Sequence, residues 1–240
     1  MLLLNKTHLH PSWSALVNKA LSLVNQEYLN DLITTQDWLP GEKAIFSAFS
    51  YPLSETRYIL FGESPYPRPE SANGFAFWDA AVKDLWSPTG LSKSVNRATS
   101  LRHIIKMLLI AANALSIENT TQPAIATIDK TPYVKTIDEL FTHFIQKGFL
   151  LLNASLVLSN KPVQREAKAW QPFINGLLEE LFLINPQIQL ILFGNIAKLI
   201  LSLPAAKKFP HFTCEHPYNH SFIYNSAVIN FFQPLNLLLK

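Results

Sequence analysis

The stretch RYILFGESPYPRPESANGFAFWD, residues 57–79, decides how the rest of the chain is interpreted. Its beginning is apolar and stops at Gly62, which is typical of a short buried β-strand. The residues that follow are rich in proline, glycine and aromatic side chains, and their only early carboxylate, Glu63, stands next to Ser64. Proline and glycine at this density predict a long loop at the carboxyl end of the strand.

Three further short runs have the same character: FLLLN (149–153), IQLILFG (188–194) and FTCEH (212–216). In the segments between these runs, apolar residues recur at helical spacing and helix-capping residues occur, which predicts helices. The predicted helices are a helix or helix pair over 12–34, a helix from an N-cap at Ser100 to 115, a helix closed by Gly148, and helices near 168–183, 195–203 and 224–239. Residues 116–135 are polar and contain proline, so they are predicted to be a surface excursion.

This alternation of strands and helices predicts an α/β fold. Helices between successive strands favour parallel pairing, and continuous apolar runs are typical of strands buried on both faces. We expect a three-layer αβα arrangement with a central four-stranded, mainly parallel sheet. We expect a single domain over residues 1–240, with an N-terminal helical extension over about 1–50.

Composition limits the class of protein. The chain has 240 residues, 48% of them hydrophobic and 15% charged, with a net charge of +3. These values predict a folded, intracellular protein, expected in the cytoplasm, with no membrane span and no clear signal peptide at MLLLNKTHLHPSW. The single Cys214 excludes an internal disulfide and a cysteine-based zinc cluster.

Polar residues follow the ends of the predicted strands. Glu63 and Ser64 come after the first strand, Asn153 ends the second, and His216 ends the fourth. Binding sites of open parallel sheets form at the carboxyl ends of the strands. We therefore expect these four residues to line one crevice, although more than 150 positions separate the first from the last.

Four motifs now carry a resemblance to a known family. GESPYPRPESANGFAF resembles GQDPYHGPGQAHGLAF, the first motif of the uracil-DNA glycosylases. LLLNASLVLSNKPVQREAKAWQPF is similar to the family's LLLNAVLTV run with its following loop and Trp-x-x-Phe helix. ILFGNIAK resembles LLWGxxAQ, and HPYNHS stands where the family has HPSPLS. The motifs occur in the same order and cover roughly residues 57–232.

The resemblance implies a site that takes a base out of the DNA stack and cleaves its bond to the sugar. Base-binding roles are implied for Phe77 as a stacking platform, Asn153 as the amide that reads the base edge, and Tyr66 beside C5. His216 would donate to a carbonyl oxygen of uracil, together with backbone N–H groups at Glu63 and Ser64. No metal or other cofactor is implied.

One departure from the family concerns the reaction directly. Ser64 stands where the first motif has Asp, and serine cannot supply a negative charge near a cationic sugar. Some branches of the superfamily write this motif GEAPG, so Glu63 is the predicted substitute, with Glu70 and Asp79 as weaker candidates. Those branches often bind an iron–sulfur cluster, which one cysteine excludes. The catalytic candidates are therefore Glu63, Ser64 and His216.

The residues expected to face DNA also diverge. His220 occupies the position of the family's leucine wedge, and a longer loop with Lys93 and Arg97 replaces a proline-rich loop. Basic residues near the motifs suit phosphate groups. The predicted DNA-contacting residues are Ser100, Lys161, Arg165, Tyr218, His220 and Ser221.

Three functions remain open on this sequence. The leading hypothesis is a monofunctional DNA N-glycosylase, expected to be monomeric, that removes uracil or a related damaged base. A non-catalytic protein that binds DNA, a base or a protein partner would keep the pocket but lose the chemistry with the missing Asp. A glycosylase of free nucleosides or nucleotides would fit the modest charge.

Overall fold

A computed structural model describes residues 4–240 of the chain. Its strands are β1 (Tyr58–Gly62), β2 (Trp86–Ser87), β3 (Gly90–Leu91), β4 (Phe149–Asn153), β5 (Gln189–Phe193) and β6 (His211–Cys214). Its α-helices are α1 (Ser14–Ser22), α2 (Gln26–Thr35), α3 (Lys93–Arg97), α4 (Thr99–Ala111), α5 (Gln122–Ala126), α6 (Ile137–Gln146), α7 (Val163–Ile184), α8 (Ile196–Leu201) and α9 (Ser226–Phe232). The signal-peptide prediction involves residues 1–3, which lie outside the described range.

The central sheet has four strands in the order β4-β1-β5-β6. β1 pairs in parallel with β4, which places Gly62 opposite Asn153, and in parallel with β5, which places Phe61 opposite Leu192. The predicted α/β fold, a four-stranded parallel sheet flanked by helices, is confirmed. β2 and β3 form a separate antiparallel pair.

The chain divides into two units by its internal contacts. The first unit runs to Asp79 and resumes over Gly148–Thr213, so it holds α1, α2, α7, α8 and the central strands. The second unit comprises Ala80–Lys147 and Cys214–Lys240, with α3 to α6, α9 and the β2–β3 pair. The single-domain organisation expected from the sequence stays a prediction.

The hydrophobic core of the first unit lies against one face of the sheet. Alternate residues of β1, β4 and β5 pack there against side chains of α1 and α7, including Val17, Trp170 and Phe173. On the opposite face, Leu60 and Ile191 are 1% and 0% exposed. These three strands are therefore buried on both faces, as their apolar runs predict.

The fourth strand differs from its prediction. β6 ends at Cys214, two residues before His216, and its residues alternate between exposed and half-buried. It is one of the two edge strands of the sheet. β4, at the other edge, is buried at every residue, whereas β6 leaves alternate residues exposed, so the prediction of a fourth continuous buried strand was wrong.

Helix boundaries also differ where proline or capping was misjudged. Ala98, not Ser100, is the N-cap of α4, and Ser100 lies inside its first turn. α7 begins at Val163 with Pro162 as its N-cap, because the residue before a proline is disfavoured in the helical conformation. The last helix ends at Phe232 and gives way to a short 3-10 turn around Pro234, which lacks the N–H that would continue the helix.

Two stretches predicted to be irregular contain regular structure. The loop after β1 includes the β2–β3 pair and α3, and the polar segment 116–135 includes α5. Pro123 sits in the first turn of α5, where its missing N–H costs nothing, and Ile125 is fully buried. Among residues 4–240, every helix is too short or too polar to cross a bilayer.

Candidate active site

The paired ends of β1 and β4 place a buried amide against a glycine. Asn153, the last residue of β4, is 4% exposed and lies opposite Gly62. A Cβ atom added to Gly62 would lie 2.4 Å from Asn153 Oδ1 and 2.9 Å from Ala76 Cβ. Any side chain at position 62 would therefore displace the Asn153 amide.

We predict that Gly62→Ala moves the Asn153 amide and lowers the free energy of unfolding by about 1–3 kcal/mol, the usual cost of overpacking. Chemical denaturation of the variant and of wild type measures the difference. An unchanged free energy of unfolding would contradict a tight approach of Asn153 to Gly62.

Hydrogen bonds continue the β1–β4 pairing beyond the strand ends. The Ala154 N–H donates to Gly62 O at 2.8 Å, and the Ser155 N–H donates to Glu63 O at 3.0 Å. The Ala76 N–H donates to Leu151 O at 3.1 Å, which returns the far end of the 63–79 loop to β4. The backbone around Glu63 and that around Ala76 are therefore both tied to the strand that carries Asn153.

Tyr66 and Phe77 are linked across the same loop. The Tyr66 hydroxyl donates to Phe77 O at 3.1 Å, and the Phe77 ring meets Phe193 at the end of β5 edge-on, with ring centroids 5.8 Å apart. Phe77 has a φ of 64°, a left-handed conformation that is uncommon for a bulky residue. Burial raises the pKa of Tyr66, so its hydroxyl stays protonated and able to donate.

Glu63 and Ser64 differ in exposure. Glu63 is exposed, and its carboxylate makes no ion pair with the described part of the chain, whereas Ser64 is half-buried and its Oγ reaches Pro65 O at 3.4 Å. Within residues 4–240, the backbone N–H groups of Glu63 and Ser64 donate to no protein acceptor. Both N–H groups can therefore donate to a ligand, and the role that the resemblance implies for them stays a prediction.

The two weaker carboxylate candidates occupy different surroundings. Asp79 is 3% exposed and pairs with Arg68, whose Nη2 lies 3.3 Å from Asp79 Oδ2. Glu70 is exposed and reaches the same guanidinium only at 3.8 Å. Asp79 is thus held by a fixed counter-charge, whereas Glu70 is a solvated surface carboxylate.

His216 belongs to the second unit, and its ring geometry is defined there. The Tyr218 N–H donates to His216 Nδ1 at 3.0 Å, so Nδ1 is an acceptor and Nε2 carries the ring proton. Burial lowers the pKa of His216, which keeps the ring neutral at pH 7. The proximity of His216 to Asn153 expected from the sequence stays a prediction.

The motif HPYNHS forms a tight turn followed by a short 3-10 segment. The Asn219 N–H donates to His216 O at 2.9 Å, which leaves Tyr218 at the turn with 68% of its surface exposed. The His220 ring lies between the rings of His103 and Tyr224, at centroid distances of 5.6 and 5.0 Å. The exposed Ser221 follows.

The other predicted DNA-contacting residues vary in availability. Lys161 pairs with Asp31 at 2.8 Å and lies 5.6 Å from the centroid of the Tyr28 ring. Arg165 is exposed in the first turn of α7, and Ser100 is half-buried in α4. The charge of Lys161 is therefore partly offset inside the protein, whereas Arg165 is open to an external partner.

Two residues were not assigned a role from the sequence. Arg68 stands where the resembled motif has Gly, a charge in a loop of small residues that could have marked it. His103 is 5% exposed, and its Nδ1–H donates to Pro217 O at 2.7 Å, which anchors the turn after β6. Nothing in the local sequence joins positions 103 and 217, so this contact required the structure.

Grouped metal ligands are not found in the described part of the chain. Among residues 4–240, no three His, Cys, Asp or Glu side chains lie together in a way that could hold a metal ion. The expectation of no metal or cofactor stays a prediction.

Comparison with known proteins identifies the family. Residues 49–239 match the profile of the uracil DNA glycosylase superfamily. The crystal structure of wild-type UNG from Nitratifractor salsuginis is 42% identical, with a TM-score of 0.93 over 97% of this chain and 94% of that one. The crystal structure of mimivirus uracil-DNA glycosylase shares the fold, at 18% identity and a TM-score of 0.58 over 88% of this chain and 70% of that one.

Curated sequences agree over a shorter length. The uracil-DNA glycosylase of Campylobacter jejuni subsp. jejuni is 29% identical over 177 residues, 73% of this chain and 63% of the relative. The chain thus matches less than two thirds of that relative's length. The family profile covers most of the present chain, and it includes the strand, loop and turn that carry Asn153, Phe77 and His216. The chain therefore belongs to the uracil-DNA glycosylase superfamily.

Proposed function

We propose that this protein is a DNA base-excision glycosylase that hydrolyses the N-glycosidic bond of uracil, or of a related damaged base, in DNA. The observation that carries the proposal is the Asn153 amide, buried against Gly62 at the carboxyl end of the parallel sheet. Family membership and the likeness to UNG of Nitratifractor salsuginis support it.

Recognition of the base rests on one amide and two aromatic residues. The carbonyl and NH₂ groups of Asn153 match the N3–H donor and O4 acceptor of uracil, and the described residues do not engage this amide in another hydrogen bond. Phe77 supplies a stacking face, and Tyr66, tied to its carbonyl, would crowd the C5 edge that bears a methyl group in thymine. The base must leave the duplex to reach these groups.

Cleavage leaves negative charge on the departing base. We assign its stabilisation to His216 Nε2–H and to the backbone N–H groups of Glu63 and Ser64, since preorganised donors act where charge develops in the transition state. The neutral ring of His216 is suited to this role, because Nδ1 is already occupied by the Tyr218 N–H. Glu63 is the proposed carboxylate for the cationic sugar and the attacking water.

Contacts to DNA are proposed for exposed residues outside the base pocket. Tyr218, His220 and Ser221 lie on or directly after the turn that follows β6, and Arg165 lies in the first turn of α7. We include Ser100 and Lys161 with smaller roles, since Ser100 is half-buried and Asp31 offsets the Lys161 charge. DNA is the proposed partner of a monomeric protein, and cytoplasmic location stays a prediction.

The direct test is an excision assay on oligonucleotides that contain a single uracil, hypoxanthine or xanthine. We expect alkali-sensitive abasic sites from the uracil substrate and none from a matched thymine control. Binding of uracil-containing DNA without abasic product would instead support a non-catalytic binding protein. Ser64 at the Asp position and the exposure of Glu63 favour that alternative.

We predict that His216→Ala lowers the single-turnover rate of uracil excision by about 10²- to 10³-fold, as for loss of one donor to a developing anion. His216→Gln, which keeps an N–H donor, should retain part of the rate. Quenched-flow excision measures both variants against wild type. A His216→Ala rate within twofold of wild type would contradict the assignment.

A further inference from the structure

The 63–79 loop is cross-linked twice, at equal spacing along the chain. Tyr66 binds Phe77 O through its hydroxyl, and Arg68, two residues on, pairs with Asp79, two residues beyond Phe77. Each link joins residues eleven apart. Two contacts therefore join the start and the end of the loop. We call the Tyr66–Phe77 hydrogen bond the neutral rung and the Arg68–Asp79 ion pair the charged rung.

The charged rung is asymmetric in exposure. The Asp79 side chain is 4% exposed, whereas that of Arg68 is 56% exposed. A buried carboxylate is tolerated when a counter-charge and hydrogen bonds hold it. The arginine therefore reaches from the rim of the loop to an anchor that is fixed inside the first unit.

The neutral rung needs such support. Phe77 adopts a φ of 64°, and a bulky residue stays in this conformation only when its surroundings hold it there. Asp79 restrains the chain after Phe77, and Arg68 restrains the chain after Tyr66. Without the charged rung, Phe77 could return to an ordinary backbone conformation and release the Tyr66 hydroxyl.

We propose that Arg68 and Asp79 form a positioning pair that holds Tyr66 and Phe77 in the geometry of the base pocket, and thereby sets discrimination between uracil and thymine. This inference rests on the proposed function. Asp79 acts through the loop and is not the carboxylate of the reaction. Its fixed ion pair leaves Glu63 as the carboxylate available for chemistry.

The chain offers a matched set of variants. Asp79→Asn and Arg68→Ala each remove the Arg68–Asp79 ion pair, and the double variant removes the same single contact. Glu70→Gln is the control, because it removes only the weaker 3.8 Å contact to the same arginine. We expect each single variant to lose about 10²-fold in uracil excision, as for misplaced reacting groups. The double variant should be no worse than either single variant, and Arg68→Lys should recover part of the loss.

Excision of thymine, expected to be absent in wild type, separates positioning from general destabilisation. Relaxation of Tyr66 should make thymine excision detectable in Asp79→Asn and Arg68→Ala, with a rise in KM for uracil DNA, and leave Glu70→Gln like wild type. A loss confined to kcat in Asp79→Asn, with Arg68→Ala unaffected, would overturn the proposal in favour of a chemical role for Asp79. Equal effects of Glu70→Gln would also overturn it.

Hydrogen–deuterium exchange tests the pair without any reliance on activity. Amides of residues 63–79 should exchange faster in Asp79→Asn and Arg68→Ala than in wild type or Glu70→Gln. Unchanged exchange in this loop would overturn the positioning role. If wild type excised no base from any oligonucleotide, the proposed function would fail, and the exchange result would still decide whether the pair holds the loop.

Discussion

Asn153→Asp is expected to lower uracil excision by about 10⁴-fold and to shift the preference of the pocket toward cytosine, because a site built to hydrogen-bond one ligand rejects a mismatched one by about 10⁴–10⁵. The substitution replaces the NH₂ donor that matches uracil O4 with a carboxyl oxygen. Two acceptors then face each other in a position that is 4% exposed, where an unpaired polar group is costly. Cytosine carries an NH₂ group at that place and can donate to the new oxygen.

A control for Asn153→Asp lies a few residues further along the same segment. Asn160 is exposed, and Asn160→Asp makes the same change in charge without touching the pocket. Excision from paired uracil- and cytosine-containing oligonucleotides, with each opposite guanine, measures both variants. If Asn160→Asp matched Asn153→Asp, or if Asn153→Asp kept the preference of wild type, the proposed reading of the base edge would be wrong.

The sheet could be predicted from the sequence because three of its four strands, β1, β4 and β5, have one environment along their length. YILF, FLLL and QLILF are buried on both faces, so local composition is enough to find them. β6 has alternating exposure, so its composition gives a weaker signal, and its end was misplaced by two residues. The short helix α5 was missed because Pro123 indicates a break, although proline in a first turn is compatible with a helix.

The candidate site could be predicted in part, for a related reason. Gly62 and Asn153 end strands whose register follows from parallel pairing, so their proximity was predictable. The Arg68–Asp79 rung and the His103–Pro217 hydrogen bond depend on how loops return to the sheet and to α4. The path that a loop takes back to the sheet or to a helix is determined by tertiary contacts, and these contacts leave no periodic pattern in the sequence.

Two adjacent residues, Glu63 and Ser64, decide whether the proposed site has a carboxylate near the sugar. Glu63 is exposed and without an ion pair in the described chain, and Ser64 is half-buried. Side chains of neighbouring residues in an extended segment point to opposite sides. Asn153 Oδ1 lies where a side chain on Gly62 would begin, so alternation favours Ser64 over Glu63 on the side of the amide. Against this, the chain bends after Gly62, and Glu63 is free to turn toward a bound sugar.

If Glu63 supplies the charge, Glu63→Gln should lower uracil excision by about 10²- to 10⁴-fold, the usual contribution of a positioned acid–base group. Ser64→Asp should then add little, because the sugar cation already has a counter-charge. Glu70→Gln, which removes another exposed carboxylate of the same loop, is the control and should leave the rate unchanged. Single-turnover rates on one uracil-containing oligonucleotide measure all three variants.

The opposite set of excision rates would show that Glu63 does not supply the charge. A wild type that is nearly silent, a Glu63→Gln variant no different from it, and recovery of excision in Ser64→Asp would show that the site lost its carboxylate and that Glu63 did not replace it. Alternation from Gly62 would place the Ser64 side chain on the side of Asn153 and explain the recovery, since a carboxylate there would lie near the amide that holds the base. Activity that depends on Glu63 in the wild type requires instead that the bend after Gly62 brings its carboxylate to the sugar. The pair of variants separates these geometries because each predicts a gain or loss at a different one of two neighbouring positions.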